Sequence, residues 1–235
     1  EMPDAKVLLL ESGPADNDRY IHMPVGFFKI MSGPLTWGYA TSPKAFEGRS
    51  MIFPQARVLG GGSSINAMVF TRGHPLDYDA WAGAEGCDGW SFADILPYFR
   101  RSEDNERLSD AYHGTNGPLG VSDPISPHPL SRAFVRAAQE AGMPYNPDFN
   151  GARQEGGGLY QTTTRGGRRC SAAVGYLRPV MKRPNLDVRS DCHATRIVIE
   201  NNRAVGVEYR RHGREETVRA ESEVIVSSGA VGSPS

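Results

Sequence analysis

Three stretches of this chain carry residue types suited to holding a nucleotide. The first is Lys6-Val7-Leu8-Leu9-Leu10-Glu11, a short apolar run closed by an acid and followed by Ser12-Gly13-Pro14. In dinucleotide-binding βαβ units, an acid at the end of the second strand accepts hydrogen bonds from ribose hydroxyls, about 20 residues after a glycine fingerprint. No G-x-G-x-x-G occurs here: Gly60 and Gly62 are followed by Ile65, and Gly156 and Gly158 by Gln161. Glu11 therefore reads either as a ribose ligand or as a solvated strand-end acid. The second stretch is Arg57-Val58-Leu59-Gly60-Gly61-Gly62-Ser63-Ser64-Ile65-Asn66. Three glycines in a row let backbone approach a ligand with no Cβ in the way, and successive N–H groups can form an anion-binding concavity. Ser63 and Ser64 add hydroxyl donors, and the flanking Val58, Leu59 and Ile65 speak against a purely solvated loop. The third is Val224-Ile225-Val226-Ser227-Ser228-Gly229-Ala230, running into Gly232-Ser233-Pro234. A strand, a small-residue turn and a helix start is the geometry that presents N–H groups to phosphate or ribose.

Other chemistries find little support. The six histidines, at 22, 74, 113, 128, 193 and 212, show no metal-ligand spacing with Cys or carboxylates, and are expected on surfaces and loops. No metal site is expected. Arg165, Arg168 and Arg169 flank Gly166-Gly167 and read as a solvated basic loop or a phosphate contact. There is no G-x-S-x-G nucleophile elbow. Cys87, Cys170 and Cys192 are odd in number and far apart, which speaks against a disulfide framework and fits a reducing, cytoplasmic setting. The net charge of -1 lacks the basic surplus of a nucleic-acid binder. The run Val7–Leu10 is far short of the ~20 apolar residues of a membrane helix, so no transmembrane segment is expected.

These residues need a scaffold. With 235 residues and 39% hydrophobic side chains, the chain can bury a core in one or two domains. Its 27 glycines and 17 prolines predict a loop-rich globular fold. Lys6–Glu11 reads as a buried strand of a parallel sheet. Residues 15–60 read as irregular. Ser91–Arg101 reads as an amphipathic helix capped by Ser91 with Asp94 at its third position, Leu130–Ala141 as a helix stopped by Gly142, and Ser171–Met181 as another capped helix. Strands are expected at Asn185–Ser190, Thr195–Glu200, Ala204–Tyr209, Glu216–Arg219 and Glu223–Ser227, with turns at Asn201-Asn202 and His212-Gly213.

Taken together, the segments resemble the glucose–methanol–choline (GMC) flavoprotein oxidoreductases, in the choline or alcohol dehydrogenase-like branch. Ala56-Arg57-Val58-Leu59-Gly60-Gly61-Gly62-Ser63-Ser64-Ile65-Asn66-Ala67-Met68-Val69-Phe70-Thr71-Arg72-Gly73, continuing to Asp77-Tyr78-Asp79, is similar to the first family signature. Gly229-Ala230-Val231-Gly232-Ser233-Pro234 is similar to the second. Lys6–Gly13, Leu35–Tyr39 and Arg168–Ala173 also look like family segments.

The resemblance implies an α/β fold: an incomplete FAD-binding Rossmann-like domain (1–105 and 175–235) with an inserted segment of the substrate-binding domain (106–174). It implies that Glu11 holds the adenosine ribose. The loop of Arg57, Val58, Gly61, Gly62 and Ser64 would line FAD, and Asn66, Ala67, Met68 and Val69 would lie beside the flavin ring. Ala194 would contact adenine through its backbone, and Gly229 and Ala230 would close the adenine side. Some family members bind FAD covalently through a histidine just before the motif asparagine. Ile65 stands there, so noncovalent FAD is expected. The family's catalytic base is a histidine in its C-terminal half; none of the six here matches it, so no catalytic residue is assigned. The implied reaction is oxidation of a small primary alcohol, choline-like or aliphatic, to an aldehyde, with the electron acceptor open. An oxygen-using oxidase, a hydroxynitrile lyase on the same scaffold and a noncatalytic truncated protein are the alternatives. The chain reads as the middle of a longer flavoenzyme, and alone it is not expected to turn over substrate or to hold FAD tightly.

Overall fold

The structure is a computed structural model describing residues 4–84 and 86–234. Its strands, in chain order, are β1 (Val7–Leu10), β2 (Tyr39–Ala40), β3 (Ile52–Phe53), β4 (Glu103–Asn105), β5 (Leu119–Val121), β6 (Thr164–Arg165), β7 (Arg168–Arg169), β8 (Leu186–Arg189), β9 (Cys192–Glu200), β10 (Arg203–Arg211) and β11 (Arg214–Arg219). Its α-helices are α1 (Arg19–His22), α2 (Phe27–Ile30), α3 (Pro75–Ala82), α4 (Phe92–Ser102), α5 (Pro129–Glu140) and α6 (Gly229–Gly232). Packing divides the chain into two units. One comprises Glu1–Ala15, Arg57–Leu59 and Met181–Ser235, the other Asp16–Ala56 and Gly60–Val180. These divisions fall elsewhere than at 105/106 and 174/175, because residues 16–56 and 60–105 pack with 106–180.

In the first unit β1 pairs in parallel with β8, Val7 opposite Leu186 and Leu10 opposite Arg189. The parallel pairing matches the apolar run, yet Val7 is 49% exposed and Leu8–Leu10 are half-buried. β9, β10 and β11 form an antiparallel meander. Its two turns use left-handed backbone at Asn201 and Asn202 (φ 49° and 62°) and at His212 and Gly213 (φ 48° and 79°), the conformations that suit the twist of tight hairpins. A bulge between Ala204 and Gly206 needs glycine, since a Cβ there would sit 2.3 Å from the Val218 carbonyl oxygen. Tyr209, Val58 and Cys192 are almost wholly buried in this unit. The strand expected at Glu223–Ser227 does not form: it finds no partner among the described strands, and Ile225 is 76% exposed. Apolar, β-branched composition alone does not make a strand without a neighbour to bond.

The second unit is built of short pieces, and its core is centred on Ile21, Ile65, Met68, Val121, Cys170 and Ala173. α4 follows the expected capping box: Ser91 Oγ accepts from Asp94 N–H, and the Asp94 carboxylate accepts from Ser91 N–H. α5 runs one residue earlier than expected at each end, with His128 Nδ1 accepting from Leu130 N–H at its start. β4 and β5 pair in parallel. β6 and β7 form a hairpin turning on Gly166 and Gly167, φ 56° and 73°. The helix expected at Ser171–Met181 reduces to a single π-helical turn, Ala173–Leu177. Gly175 there lies against the Pro118 carbonyl, where a Cβ would come within 2.6 Å, so packing rather than helix periodicity shapes this stretch.

Candidate functional site

In the first unit, Glu11 lies just past the end of β1. Its N–H donates to the Arg189 carbonyl (3.0 Å), and its own carbonyl accepts from Cys192 N–H (2.8 Å), so its backbone is fixed on both sides. Its side chain is half-buried. Oε1 accepts from Gly13 N–H (2.8 Å) and Ser12 Oγ (3.4 Å), while Oε2 carries no hydrogen bond among the described residues. A carboxylate held by one oxygen with the other free is shaped to accept from a vicinal diol. Gly13 packs directly on the Arg57 backbone, where a Cβ would come within 2.0 Å of the Arg57 carbonyl oxygen. The Gly13 carbonyl accepts from Asp191 N–H, and the Pro14 carbonyl from Leu59 N–H. The turn after Glu11 is thereby tied to Arg57–Leu59, a contact that local sequence does not reveal. Val58 is fully buried, backbone included, and serves the core. Ala194, on β9 opposite Tyr209, is exposed, as are Gly229 (φ 87°) and Ala230 in α6.

In the second unit the three glycines have different physical reasons. Gly60 takes φ 91°, and a Cβ there would sit 2.4 Å from Ser64 Oγ and 3.0 Å from Ala173 Cβ. Gly61 takes φ 56° with open space around it. Gly62 has neither constraint: its backbone is ordinary and nothing lies within 4 Å of its Cβ direction. The protein's own packing does not require glycine there, whereas close approach of a ligand would. The two serine hydroxyls serve the loop instead of projecting from it. Ser63 Oγ donates to the Gly60 carbonyl (2.5 Å) and accepts from Ala172 N–H (2.8 Å), and Ser64 is fully buried.

The next residues alternate in exposure. Ile65 is buried, Asn66 and Ala67 are exposed, Met68 is buried and Val69 is half exposed. Met68 adopts left-handed backbone, φ 61°, which a residue with a Cβ adopts only where surroundings enforce it. Those surroundings are Thr163 N–H donating to the Met68 carbonyl (2.8 Å), Phe70 N–H donating to Gln161 (2.9 Å), and Asn66 Oδ1 accepting from Met68 N–H (3.1 Å). The twist turns Asn66, Ala67 and Val69 outward as one apolar-polar surface.

Arg169 holds this segment from behind. It is 1% exposed, against the solvated loop expected for its cluster. Nε donates to the Ile21 carbonyl (2.6 Å), and Nη1 donates to the Ser63 carbonyl (3.0 Å) and to Asn66 Oδ1 (2.7 Å). Nη2 is buried with no partner among the described residues. Burial pulls the guanidinium down to about 10, which still leaves it charged at neutral pH. Arg165 and Arg168, by contrast, are exposed, and Arg165 pairs with Asp104 (2.9 Å). The difference follows from β7, along which side chains alternate, Arg168 out and Arg169 in.

A histidine expected at the surface is buried instead. His113 is 1% exposed, with Nδ1 2.8 Å from Glu103 Oε1 and Nε2 3.0 Å from Asp148 Oδ2. Arg72 Nη2 closes on the other Glu103 oxygen at 2.6 Å, and Asn105 Nδ2 donates to Oε1 at 2.7 Å. Burial alone would push the imidazole down, but hydrogen bonds and charges from Asp148 and Glu103 outweigh it and hold it up at about 9. Asp148 is lowered, its burial offset by the His113 contact and by Asn150 N–H. Two cations and two carboxylates thus balance inside the unit. The group belongs to its architecture: every ring nitrogen of His113 is engaged by a carboxylate, with none left for a substrate. No cluster of His, Cys, Asp and Glu suited to a metal ion exists among the described residues.

A family model described as GMC oxidoreductase matches residues 27–235. The chain belongs to the GMC oxidoreductase family. It is 44% identical, over 99% of its length, to an alcohol dehydrogenase [acceptor] of Pseudomonas putida, and 45% identical, over 97%, to an oxygen-dependent choline dehydrogenase of Sinorhizobium medicae. It spans 43% and 42% of those relatives. Among solved structures, an FAD-dependent oxidoreductase from Chaetomium thermophilum superposes with a TM-score of 0.89 at 30% identity, covering 99% of this chain and 42% of that one. The match bears out the α/β GMC fold implied by the two signatures. No described helix of this GMC chain is long and apolar enough to cross a membrane.

Proposed function

We propose that this chain supplies the cofactor contacts of an FAD-dependent alcohol oxidoreductase of the choline and alcohol dehydrogenase-like branch. The whole enzyme oxidises a small primary alcohol, choline-like or aliphatic, to an aldehyde. The observation that carries the reading is the Gly60–Val69 segment: Gly62 is bare where packing demands no glycine, and Asn66, Ala67 and Val69 are turned outward by an enforced left-handed Met68. The residues present fit a flavin dinucleotide. In the first unit Glu11 Oε2 is free to accept from the adenosine ribose, and half-buried Arg57 with exposed Ala194, Gly229 and Ala230 is assigned to the adenine end; in the second, half-buried Gly61 and exposed Gly62 leave room for close approach, while the fully buried Val58 and Ser64 shape the backbone of their own units. Bound FAD supplies the hydride acceptor for the alcohol's α-carbon. Ile65, buried at 4% exposure, has no nucleophile to form a bond to the ring, so the cofactor is held noncovalently.

The test is direct. The purified whole enzyme is loaded with FAD, and choline and a series of aliphatic primary alcohols are added without oxygen. Bleaching of the flavin band by one of them is expected, and acid precipitation is expected to release all flavin to the supernatant. Flavin retained in the pellet would overturn the noncovalent assignment. A loaded protein whose flavin no alcohol bleaches, but which cleaves a cyanohydrin, would overturn the redox reading. Peroxide formed on admitting air would make oxygen the acceptor.

A further inference from the structure

Arg169 is a buried cation whose bonded partners are all uncharged. Its three hydrogen bonds run to the Ile21 and Ser63 carbonyls and to Asn66 Oδ1, and Nη2 has no partner among the described residues. A buried guanidinium without a carboxylate is expensive, so a role in filling space alone is poorly served by it. Its planar fork does what no neutral side chain of that size could do: it holds a main-chain carbonyl at Ser63 and a side-chain amide at Asn66 at once, three residues apart. Asn66 Oδ1 in turn accepts from Met68 N–H, the residue with left-handed backbone. One side chain therefore runs through Asn66 into the strained residue that decides which face Ala67 and Val69 present. The fork is itself placed by β7, whose pairing with β6 sets Arg169 inward.

We propose that Arg169 is a positioning residue for the cofactor, acting through the Asn66 carboxamide to fix the outer face of Asn66–Val69 against the flavin ring. The inference rests on the assignment of that segment to the flavin.

The experiment is a double-mutant cycle, made in the whole enzyme, on FAD affinity and flavin absorption, with Arg169→Lys, Asn66→Ala and the double variant, alongside thermal melts of the cofactor-free proteins. Lys keeps the charge but not the fork. Each single change is expected to weaken FAD binding about tenfold and to shift the visible flavin bands, and the double variant to be no weaker than the weaker single one. Multiplicative losses in the double variant, or lowered melting with unchanged affinity and spectrum, would overturn the proposal. Should Arg169→Lys fail to fold, exposed Asn66 still decides the matter. Asn66→Asp keeps an oxygen acceptor for Arg169 and is expected to bind FAD more tightly than Asn66→Ala; equal losses would count against Arg169. Wild-type protein that takes up no FAD at all would overturn the flavin assignment and this proposal together, whereas normal uptake with insensitive variants would overturn only this one.

Discussion

Raising the pH should weaken the second unit through a single proton on His113. The group stands at about 9 in the folded chain against 6.5 for a free imidazole. Below 6.5 both folded and unfolded chains carry the proton and the contribution is fully present. Between 6.5 and 9 only the folded chain carries it, so unfolding releases one proton and stability falls by about 1.4 kcal/mol per pH unit. Across that window the loss amounts to about 3 kcal/mol, and above 9 it levels off. Physically, removing the proton leaves Glu103 and Asp148 facing Arg72 alone, a net negative charge at a site where His113 and Glu103 are sealed from water. That is a large share of the stability of a domain of ordinary size, about 5–15 kcal/mol. The assay is urea unfolding at several pH values, followed by tryptophan fluorescence. Trp37, Trp81 and Trp90 all lie in the second unit, so the signal reports the part of the chain that contains the network. Wild type is compared with His113→Gln, which carries no titrating proton. The variant will be less stable below pH 9, where wild type carries the cation that the variant lacks, and the two should converge above it. The decisive quantity is the slope between pH 6.5 and 9, steep in wild type and flattened in the variant. Parallel slopes would refute the assignment of the proton to His113.

Other perturbations follow from the same geometry. Glu11→Gln keeps an acceptor for Gly13 N–H but loses the carboxylate charge. FAD affinity should fall about ten- to a hundredfold, the equivalent of about 1.5–3 kcal/mol for hydrogen bonds to a charged group, while the far-ultraviolet melting curve stays put; unchanged titration by flavin fluorescence would contradict the ribose role. Gly13→Ala places a methyl group 2.0 Å from the Arg57 carbonyl oxygen, against backbone that cannot swing aside, so the first unit should lose about 1–3 kcal/mol or fail to accumulate in soluble form, read by circular dichroism. A melt indistinguishable from wild type would mean that Gly13 and Arg57 are not in contact in solution.

How much of this was legible in the sequence depends on the range of the interaction. Signals confined to a few residues came through: the Ser91/Asp94 capping box, the Asn201-Asn202 and His212-Gly213 turns, and the apolar run of β1 closed by Glu11. Each is a contest between a side chain and its own neighbouring backbone, which composition decides. The glycines of the first signature were legible because the backbone path takes a left-handed conformation at Gly60 and Gly61. What failed to come through spans long sequence separations. Arg169 meets Ser63 and Asn66 from a hundred residues away, and His113 is enclosed by groups ten and thirty-five residues distant. A polar side chain is ordinarily a surface residue, so local sequence points His113 to solvent and the arginine cluster to solvent or a phosphate. Glu223–Ser227 failed in the opposite sense, since a strand is a property of two segments and no described segment pairs with it.

The long-range contacts share one consequence. Residues 161–172 supply most of the hydrogen bonds that reach 60–70 from outside it: Gln161 and Thr163 on its backbone, Arg169 and Ala172 on its side chains and carbonyls. The glycine loop has little hydrophobic area with which to hold itself, and its left-handed Gly60, Gly61 and Met68 would relax in isolation. Its conformation is thus borrowed from a segment that carries no signature glycine of its own. On the proposed assignment of this segment to the flavin, the geometry offered to the ring is set before any cofactor arrives, by the backbone of 161–172 and one arginine. Substitutions along 161–172 should therefore alter cofactor binding without touching the cofactor.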